Sequence, residues 1–499
     1  MLIRPVAEDF RIIGFFMGRV FAIFTVASLV PLLWAALARE WHPMSSFALM
    51  AGCYAALAAI GLRSSPKVRR LDWSHGMTVV ALTWALAPLV GSIPLLLSGH
   101  WSGPLDSYFD AMSGLTTTGL SLVHDLDHLA SSINFWRHFL HFLGGQGIIL
   151  AALSLFAAGG GLTLYHGEAR EERIMPSVTS TARFIWGVAI VHLVGGVVAL
   201  TLVGWVTLGF SPMRSAFHGL MIFFAGFDTG GFAPQSTSLG YYHSGIFEAV
   251  TAVLMVAGAM SFGVHYALWR RNPGSVLRNL ETRTILGSLG FTLVLTIVGL
   301  AVTGVYSSIS GLARAGTFQL LSAHTGTGFA TVSSAELRGW GGLEYGGIAI
   351  AMALGGMGSS TSGGVKALRI GLTLKAIGNQ VRRVLLPDGA VVGTGYFQGS
   401  RKRLTPELAQ SVMAVSLLYV ALFLLGAGVG MAYGYSLQHA LFESVSAGAN
   451  VGLSVGVVDP TMMPAVLKLV FMLQMWAGRL EFVAVFALIG FLLAWVRGK

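Results

Sequence analysis

The chain has 499 residues, 54% of them hydrophobic and only 10% charged, with a formal net charge of +10 and a mean hydropathy of +0.72. A composition this apolar excludes a soluble globular protein and places most of the chain in lipid. The single Cys53 excludes an internal disulfide framework or thiolate metal site.

Windows free of Asp, Glu, Lys and Arg run over 44–62, 74–105, 139–167, 184–213, 249–269, 285–313, 345–365, 408–442 and 482–496. Crossing a hydrocarbon core of about 30 Å takes roughly 20 residues. Phe15 to Leu37 adds a span interrupted only by Arg19, and the last span is taken to begin near Pro464, with Arg479 and Glu481 inside it. Ten spanning helices are therefore predicted. The first apolar run is full length and follows Arg4, Glu8, Asp9 and Arg11, so no cleaved signal is expected.

Between the spans a short amphipathic stretch recurs four times and ends in small residues, a Gly and an apolar residue. The predicted short helices are Asp106 to Leu115, Met213 to Phe227, Leu312 to Ala323 and Leu437 to Ala447. They lead into Thr116-Thr117-Thr118-Gly119, Asp228-Thr229-Gly230-Gly231, Thr325-Gly326-Thr327-Gly328 and Ala449-Asn450-Val451-Gly452. The helices are too short to span, and the spacing of their glycines is too long for a solenoid. The pattern fits four units of helix, re-entrant loop and helix around one ion path lined by backbone carbonyls. Helix C-termini aimed at the membrane centre favour a cation there. Glycine suits such a loop because it reaches positive φ and puts no Cβ into the path; Thr118 and Thr327 are expected to brace it through their hydroxyls. Glycine that merely eases helix packing explains many of the 65 glycines, but not four placed alike.

In the third unit Gly355-Gly356-Met357-Gly358-Ser359-Ser360-Thr361-Ser362-Gly363-Gly364-Val365-Lys366 interrupts what would be mid-span. A lipid-facing helix does not hold such a sequence, so the segment is expected against protein or water, as a gate below the filter. Weaker breaks stand at Gly144-Gly145-Gln146-Gly147, at Gly258 to Gly263 and at Ala477-Gly478. Arg479 is costly inside a span, at about 2.5–3.5 kcal/mol. It is expected to reach the Gly/Ser segment or to stand in the inner path, and Glu481, two positions on, is on a different helical face.

Most of the 31 Lys and Arg gather at 63–70, 170–183, 270–283, 366–403 and the two ends, which makes those parts cytoplasmic, with both termini inside. The opposite side carries the loops and Asp106, Asp110, Asp125, Asp127, Asp228, Glu443 and Asp459. The basic balance thus reflects topology, and no nucleic-acid partner is expected. His138 and His141 share a helical face, as do His124 and His128 if helical, but no Cys, Asp or Glu clusters with them, so packed histidines are favoured over zinc. An enzyme or receptor with an internal cavity would need convergent acid, base or metal ligands, and the sequence lacks them.

Thr116-Thr117-Thr118-Gly119, the Gly230-Gly231-Phe232 filter, the Gly355 to Lys366 loop and Gly478-Arg479-Leu480-Glu481 together resemble the Trk/Ktr/HKT superfamily of K+ transporters, over residues 71–499. The two additional helices before the first repeat look like the Trk membrane subunit of TrkH/TrkG type rather than the shorter Ktr subunit. The resemblance implies an all-α polytopic membrane protein: residues 1–70 form a two-helix extension, followed by four pseudo-symmetric pore repeats, 71–183, 184–283, 284–403 with the gating loop, and 404–499. It implies potassium uptake across the cytoplasmic (inner) membrane, with K+ as the transported ion held at the filter residues only. A Na+-permeable or K+/Na+- or K+/H+-coupled relative is the alternative. It also implies a homodimer, no covalently bound cofactor, and a cytoplasmic TrkA-type regulatory subunit that binds the nucleotide, NAD or ATP/ADP. Asp228 departs from the family pattern, which has an uncharged residue there; a carboxylate at the filter entrance is expected to concentrate cations or to shift K+ over Na+ preference.

Overall fold

The structure, a computed structural model, describes residues 4–66, 71–146, 178–387 and 393–498. An antiparallel pair, Ala7–Leu37 and Trp41–Arg63, opens the chain. It packs through glycine: a Cβ on Gly61 would come within 2.5 Å of the Gly14 carbonyl oxygen and 2.6 Å of Gly18 Cα, the close backbone approach that small residues permit between membrane helices.

Four repeats follow. Each begins with a long apolar helix, Trp73–Gly91, Val178–Val206, Leu280–Thr303 and Pro406–Ala432. Each then has a pore helix, Pro104–Leu115, Pro212–Phe227, Ile309–His324 and Leu437–Gly448, and after the filter loop a return helix, Ser131–Gly145, Gly245–Ala259, Leu343–Leu354 and Ala465–Arg479. The pore helices start where the sequence signals: Pro104 and Pro212 stand at the first turn, and the hydroxyls of Ser211, Ser308 and Ser436 accept the backbone N–H groups of Arg214, Gly311 and His439.

The ten predicted spans are not all single straight helices among the described residues. Six helices there are long and apolar enough to cross a membrane. Two further pairs, Gly245–Ala259 with Phe262–Trp269 and Ala465–Arg479 with Val483–Arg497, are bent by 105° and 109°. The first bend is made by Ser261, whose hydroxyl caps the following helix at Val264. The second is made by Glu481 and Phe482, both at positive φ, 49° and 68°. In repeat three the return helix stops at Leu354, and the chain resumes as Ala367–Leu385 only after the Gly/Ser loop. Both bends fall at or beside the breaks marked in the sequence at Gly258 to Gly263 and Ala477-Gly478; their angles could not be read from apolar windows, because both arms are apolar. The part of the 139–167 window from Gly147 onward, and the basic residues Lys67, Arg69, Arg70, Arg170 and Arg173, lie outside the described residues. A small antiparallel hairpin, Gly395–Gln398 with Ser400–Arg403, turns at Gly399 and adds the one element of sheet among the described residues.

Candidate functional site: a four-repeat pore

All four pore helices end in the same way. The residue after each helix cap is left-handed: Thr117 at φ 52°, Thr229 at 51°, Gly326 at 70° and Asn450 at 54°. Its N–H bonds back to Gly114, Gly226, Ala323 and Ala447. The next N–H, of Thr118, Gly230, Thr327 and Val451, reaches the carbonyls of Ser113, Ala225, Ser322 and Ser446 at 2.8, 2.7, 3.0 and 2.9 Å. This is the Schellman arrangement, which satisfies the last helical carbonyls and turns the chain sharply off the axis. Glycine and asparagine take the left-handed position readily, but the β-branched Thr117 and Thr229 are held there at a cost of about 1–3 kcal/mol each.

The fourth residue of each segment is a glycine at positive φ: Gly119 90°, Gly231 75°, Gly328 86° and Gly452 94°. A Cβ on Gly119 would lie 2.2 Å from the Gly230 carbonyl oxygen, on Gly231 2.1 Å from that of Thr327, on Gly328 1.8 Å from that of Val451, and on Gly452 2.2 Å from that of Thr118. Each filter glycine thus abuts the carbonyl just before the next repeat's glycine, and the fourth returns to the first. Four segments far apart in sequence close into one ring in chain order.

Side chains brace the ring. Thr116 and Thr118 hydroxyls bond each other at 2.8 Å, as do Thr325 and Thr327, while Thr116 and Thr325 also donate to the carbonyls of Met112 and Leu321. Asn450 Nδ2 donates to Thr118 Oγ1 and to the Met475 carbonyl, both at 2.9 Å. In repeat two the equivalent space is filled by His141, whose ring a Cβ on Gly230 would strike at 2.4 Å. Its Nδ1 lies 2.8 Å from the Gly114 carbonyl and its Nε2 3.3 Å from the Phe232 N–H. A carbonyl only accepts and an amide only donates, so the ring is the neutral Nδ1–H tautomer. The return helices approach the pore helices through glycine: a Cβ on Gly144, Gly258 or Gly478 would fall 1.8, 1.9 and 2.0 Å from the carbonyl oxygens of Leu115, Phe227 and Gly448. The glycines read from sequence as weak helix breaks thus stand at the ends of the return helices and are also contact points for pore-helix ends.

Asp228 is not at the outer mouth. It is fully buried, accepts 2.6 Å from Gln146 Nε2, and packs against Gly145, where a Cβ would come within 2.3 Å of its Oδ1. It caps the pore helix at the first filter position, so its side chain points behind the segment rather than out of it. The vestibule above the ring, about 480 Å3, is lined by the four filter glycines, Ser121, Ser454 and Arg137, and no carboxylate lines it among the described residues.

Below the ring lies the Gly355 to Lys366 loop, with Gly355, Ser359, Gly364 and Lys366 at positive φ. Thr361 Oγ1 reaches the carbonyls of Phe227 (3.1 Å) and Gly258 (2.9 Å), and its N–H also meets Gly258. Met357 N–H bonds the Ala259 carbonyl. A Cβ on Gly363 would strike the Ala449 carbonyl oxygen at 2.1 Å, and one on Gly326 would strike Ser362 Oγ at 2.6 Å. Gly356 N–H bonds Ser362 Oγ, Gly358 N–H bonds Glu281, and Ser360 Oγ donates to the Met357 carbonyl. Arg479 donates through Nη1 to the Thr361 carbonyl at 2.5 Å and through Nη2 to the Gly144 carbonyl at 3.0 Å, with its guanidinium over the Trp84 ring. The space left among Arg479, Lys366, Ser362 and Gly144 is about 20 Å3, room for one water. Glu481 turns away from Arg479 and pairs with Lys366 at 2.9 Å and with Arg369.

Sequence reading passed over two groups. Asp106 on the first pore helix pairs with Lys468 on the fourth return helix at 2.5 Å, tying the last repeat to the first. Asp110 and Glu443, read only as outer-side charges, are buried at 1% and 0% exposure behind the filter. Aligning the repeats on their glycines would have shown the latter two in one register.

The family model described as TrkH, cation transport protein, matches residues 45–491. An uncharacterized cation transporter of Methanocaldococcus jannaschii is 29% identical over 97% of this chain and 96% of its own. The Trk system potassium uptake protein TrkH of Halomonas elongata is 29% identical over 84% of this chain and 86% of its own, and its counterpart in Escherichia coli K12 is 29% identical over 82% and 83%. The crystal structure of the potassium transporter TrkH from Vibrio parahaemolyticus superposes with a TM-score of 0.81 at 24% identity, covering 96% of this chain and 98% of that one, which shows the fold.

Proposed function

The chain belongs to the TrkH family of cation transport proteins, and on that premise we propose that it takes up potassium across the cytoplasmic membrane through one pore. The ring in which each of Gly119, Gly231, Gly328 and Gly452 abuts the next repeat's carbonyl carries this reading. Its filter comprises the four segments beginning at Thr116, Asp228, Thr325 and Ala449. Carbonyl oxygens there replace the hydration shell of the ion, and the negative ends of four pore helices offset the cost of shedding water.

The Gly355 to Gly364 loop, with Lys366 and Arg479, is the gate. A guanidinium bonded to a loop carbonyl beneath the filter repels a cation and fills the path, so conduction requires Arg479 and the loop to part. The many glycines and hydroxyls let the loop take a second conformation without leaving a helix half broken. Both termini are cytoplasmic, the working unit is a homodimer, and a TrkA-type subunit acts on the gate from the cytoplasm through the nucleotide it binds.

Purified protein in liposomes tests the function. Rb+ uptake that K+ suppresses and equimolar Na+ does not is the expected result; uptake suppressed equally by both overturns potassium selectivity, and absence of uptake by well-folded protein in any gating state overturns the pore.

A further inference from the structure

Asp110 and Glu443 occupy the same place in their repeats, six residues before the first filter residue, and their carboxylates do the same thing. Asp110 accepts from Ser121 Oγ at 2.8 Å and from Leu122 N–H at 2.6 Å. Glu443 accepts on one oxygen from Ser454 Oγ at 2.6 Å, Val455 N–H at 2.9 Å and Val457 N–H at 3.1 Å. Ser121 and Ser454 each stand two residues beyond the filter glycine, and Leu122 and Val455 three beyond it. The carboxylate thus spans from the pore helix to the outgoing strand and fixes the peptide planes on the outer side of the filter glycine.

Repeats two and three are built differently at both ends of this bridge. Ile222 and Gln319 stand at the carboxylate register, Ala233 and Ala330 at the serine register, and the next residue in repeat two is Pro234, which has no N–H to give. Gln319 makes no hydrogen bond through either amide atom among the described residues. The exit strands of these two repeats are instead tied to each other, Gly240 N–H to the Ala330 carbonyl and Ala330 N–H to Ser238 Oγ. Carboxylate and serine occur together in two repeats and are missing together in two, as a working pair requires.

We propose that Asp110 and Glu443 are positioning residues for ion selectivity, each holding the filter glycine of its own repeat in register through hydrogen bonds to the exit strand; this rests on the filter reading above. The acceptor oxygen does this work rather than the charge. Arg137 lies 3.4 Å from Asp110 and already offsets its charge, whereas Glu443 makes no ion pair among the described residues, and the hydrogen bonds are alike. Width and field strength of a carbonyl ring both depend on peptide-plane orientation, so a loosened exit strand admits the smaller ion.

The test compares Rb+ and Na+ uptake by full-length protein in liposomes for Glu443→Ala, Glu443→Gln, Asp110→Ala, Asp110→Asn and Gln319→Ala. The alanine variants at 110 and 443 are expected to lower the Rb+ over Na+ ratio on the order of tenfold, as loss of hydrogen bonds to a charged acceptor implies. Gln and Asn keep an acceptor oxygen and are expected to restore most of the ratio, and Gln319→Ala leaves it unchanged. Where an alanine variant does not fold, Ser454→Ala removes one donor from the same set and is expected to shift the ratio in the same direction. An unchanged ratio in folded Ala variants, or an equal shift in Gln319→Ala, overturns the proposal. Absence of cation uptake by the unmodified protein would instead overturn the filter reading beneath it.

Discussion

Gly452 and Thr118, 334 residues apart in sequence, touch through the bare Cα of one and the carbonyl oxygen of the other, and a Cβ on Gly452 would lie 2.2 Å from that oxygen. This contact closes the last repeat onto the first. Asn450 doubles it by donating to the Thr118 hydroxyl and to the Met475 carbonyl.

Asn450→Ala removes both hydrogen bonds and puts a residue without a local polar side chain at φ 54°. The expected cost is about 1–3 kcal/mol in stability, together with a lower Rb+ over Na+ uptake ratio. Thermal unfolding in detergent and paired uptake measurements check the two effects separately, and a normal ratio would confine Asn450 to a structural part.

Arg479 holds two carbonyls, of Thr361 and Gly144, with one planar fork. Arg479→Ala is expected to raise Rb+ flux through purified protein without any regulator and to leave ion preference unchanged, because the filter lies in series above. Arg479→Lys keeps the charge but not the fork, so it falls between the two. Lower flux in well-folded Arg479→Ala would make the residue a brace for conduction rather than a gate.

Asp228 lies behind the filter against Gln146, which removes any basis for steering ions in bulk solution. Asp228→Asn is therefore expected to alter uptake by the same factor at low and high external K+ and at low and high ionic strength. A loss confined to low K+ and weakened by salt, which screens charges over about 8–10 Å, would return the carboxylate to the mouth.

The buried Asp106–Lys468 pair links pore helix one to the return helix of repeat four. Lys468→Met leaves a buried carboxylate without its cation and is expected to destabilise by about 3–5 kcal/mol, whereas Asp106→Leu with Lys468→Met recovers most of that loss. Unfolding midpoints of the single and double variants give the comparison.

The four repeats could be read in the sequence because glycine is required wherever backbone meets backbone, and Gly119, Gly231, Gly328 and Gly452 had no substitute. The short helices before them were legible to within three residues, since Ser and Pro mark their starts. The left-handed Thr117 and Thr229 were not legible: β-branched residues avoid that conformation, and only the surrounding Schellman hydrogen bonds hold them there. The bends at Met260–Ser261 and Leu480–Phe482 fall at or beside breaks the sequence marks, at Gly258 to Gly263 and Ala477-Gly478, but their angles were not legible, because apolar windows report length, not direction. Asp228 was placed by its position in the segment, but which way a capping side chain points is decided by what packs against it, here Gly145 and Gln146 from another repeat.

The most direct test of the account is Rb+ over Na+ uptake by Gly452→Ala beside Gly428→Ala. A Cβ added at Gly428 would meet no atom within 4 Å, and the residue sits on the exposed face of its helix, so its alanine variant should keep the ratio of the unmodified protein. Gly452→Ala forces the repeat-four strand off the Thr118 carbonyl, and the ratio is expected to fall towards unity in protein that still folds. A folded Gly452→Ala that discriminates as well as Gly428→Ala would contradict the ring as the selectivity filter.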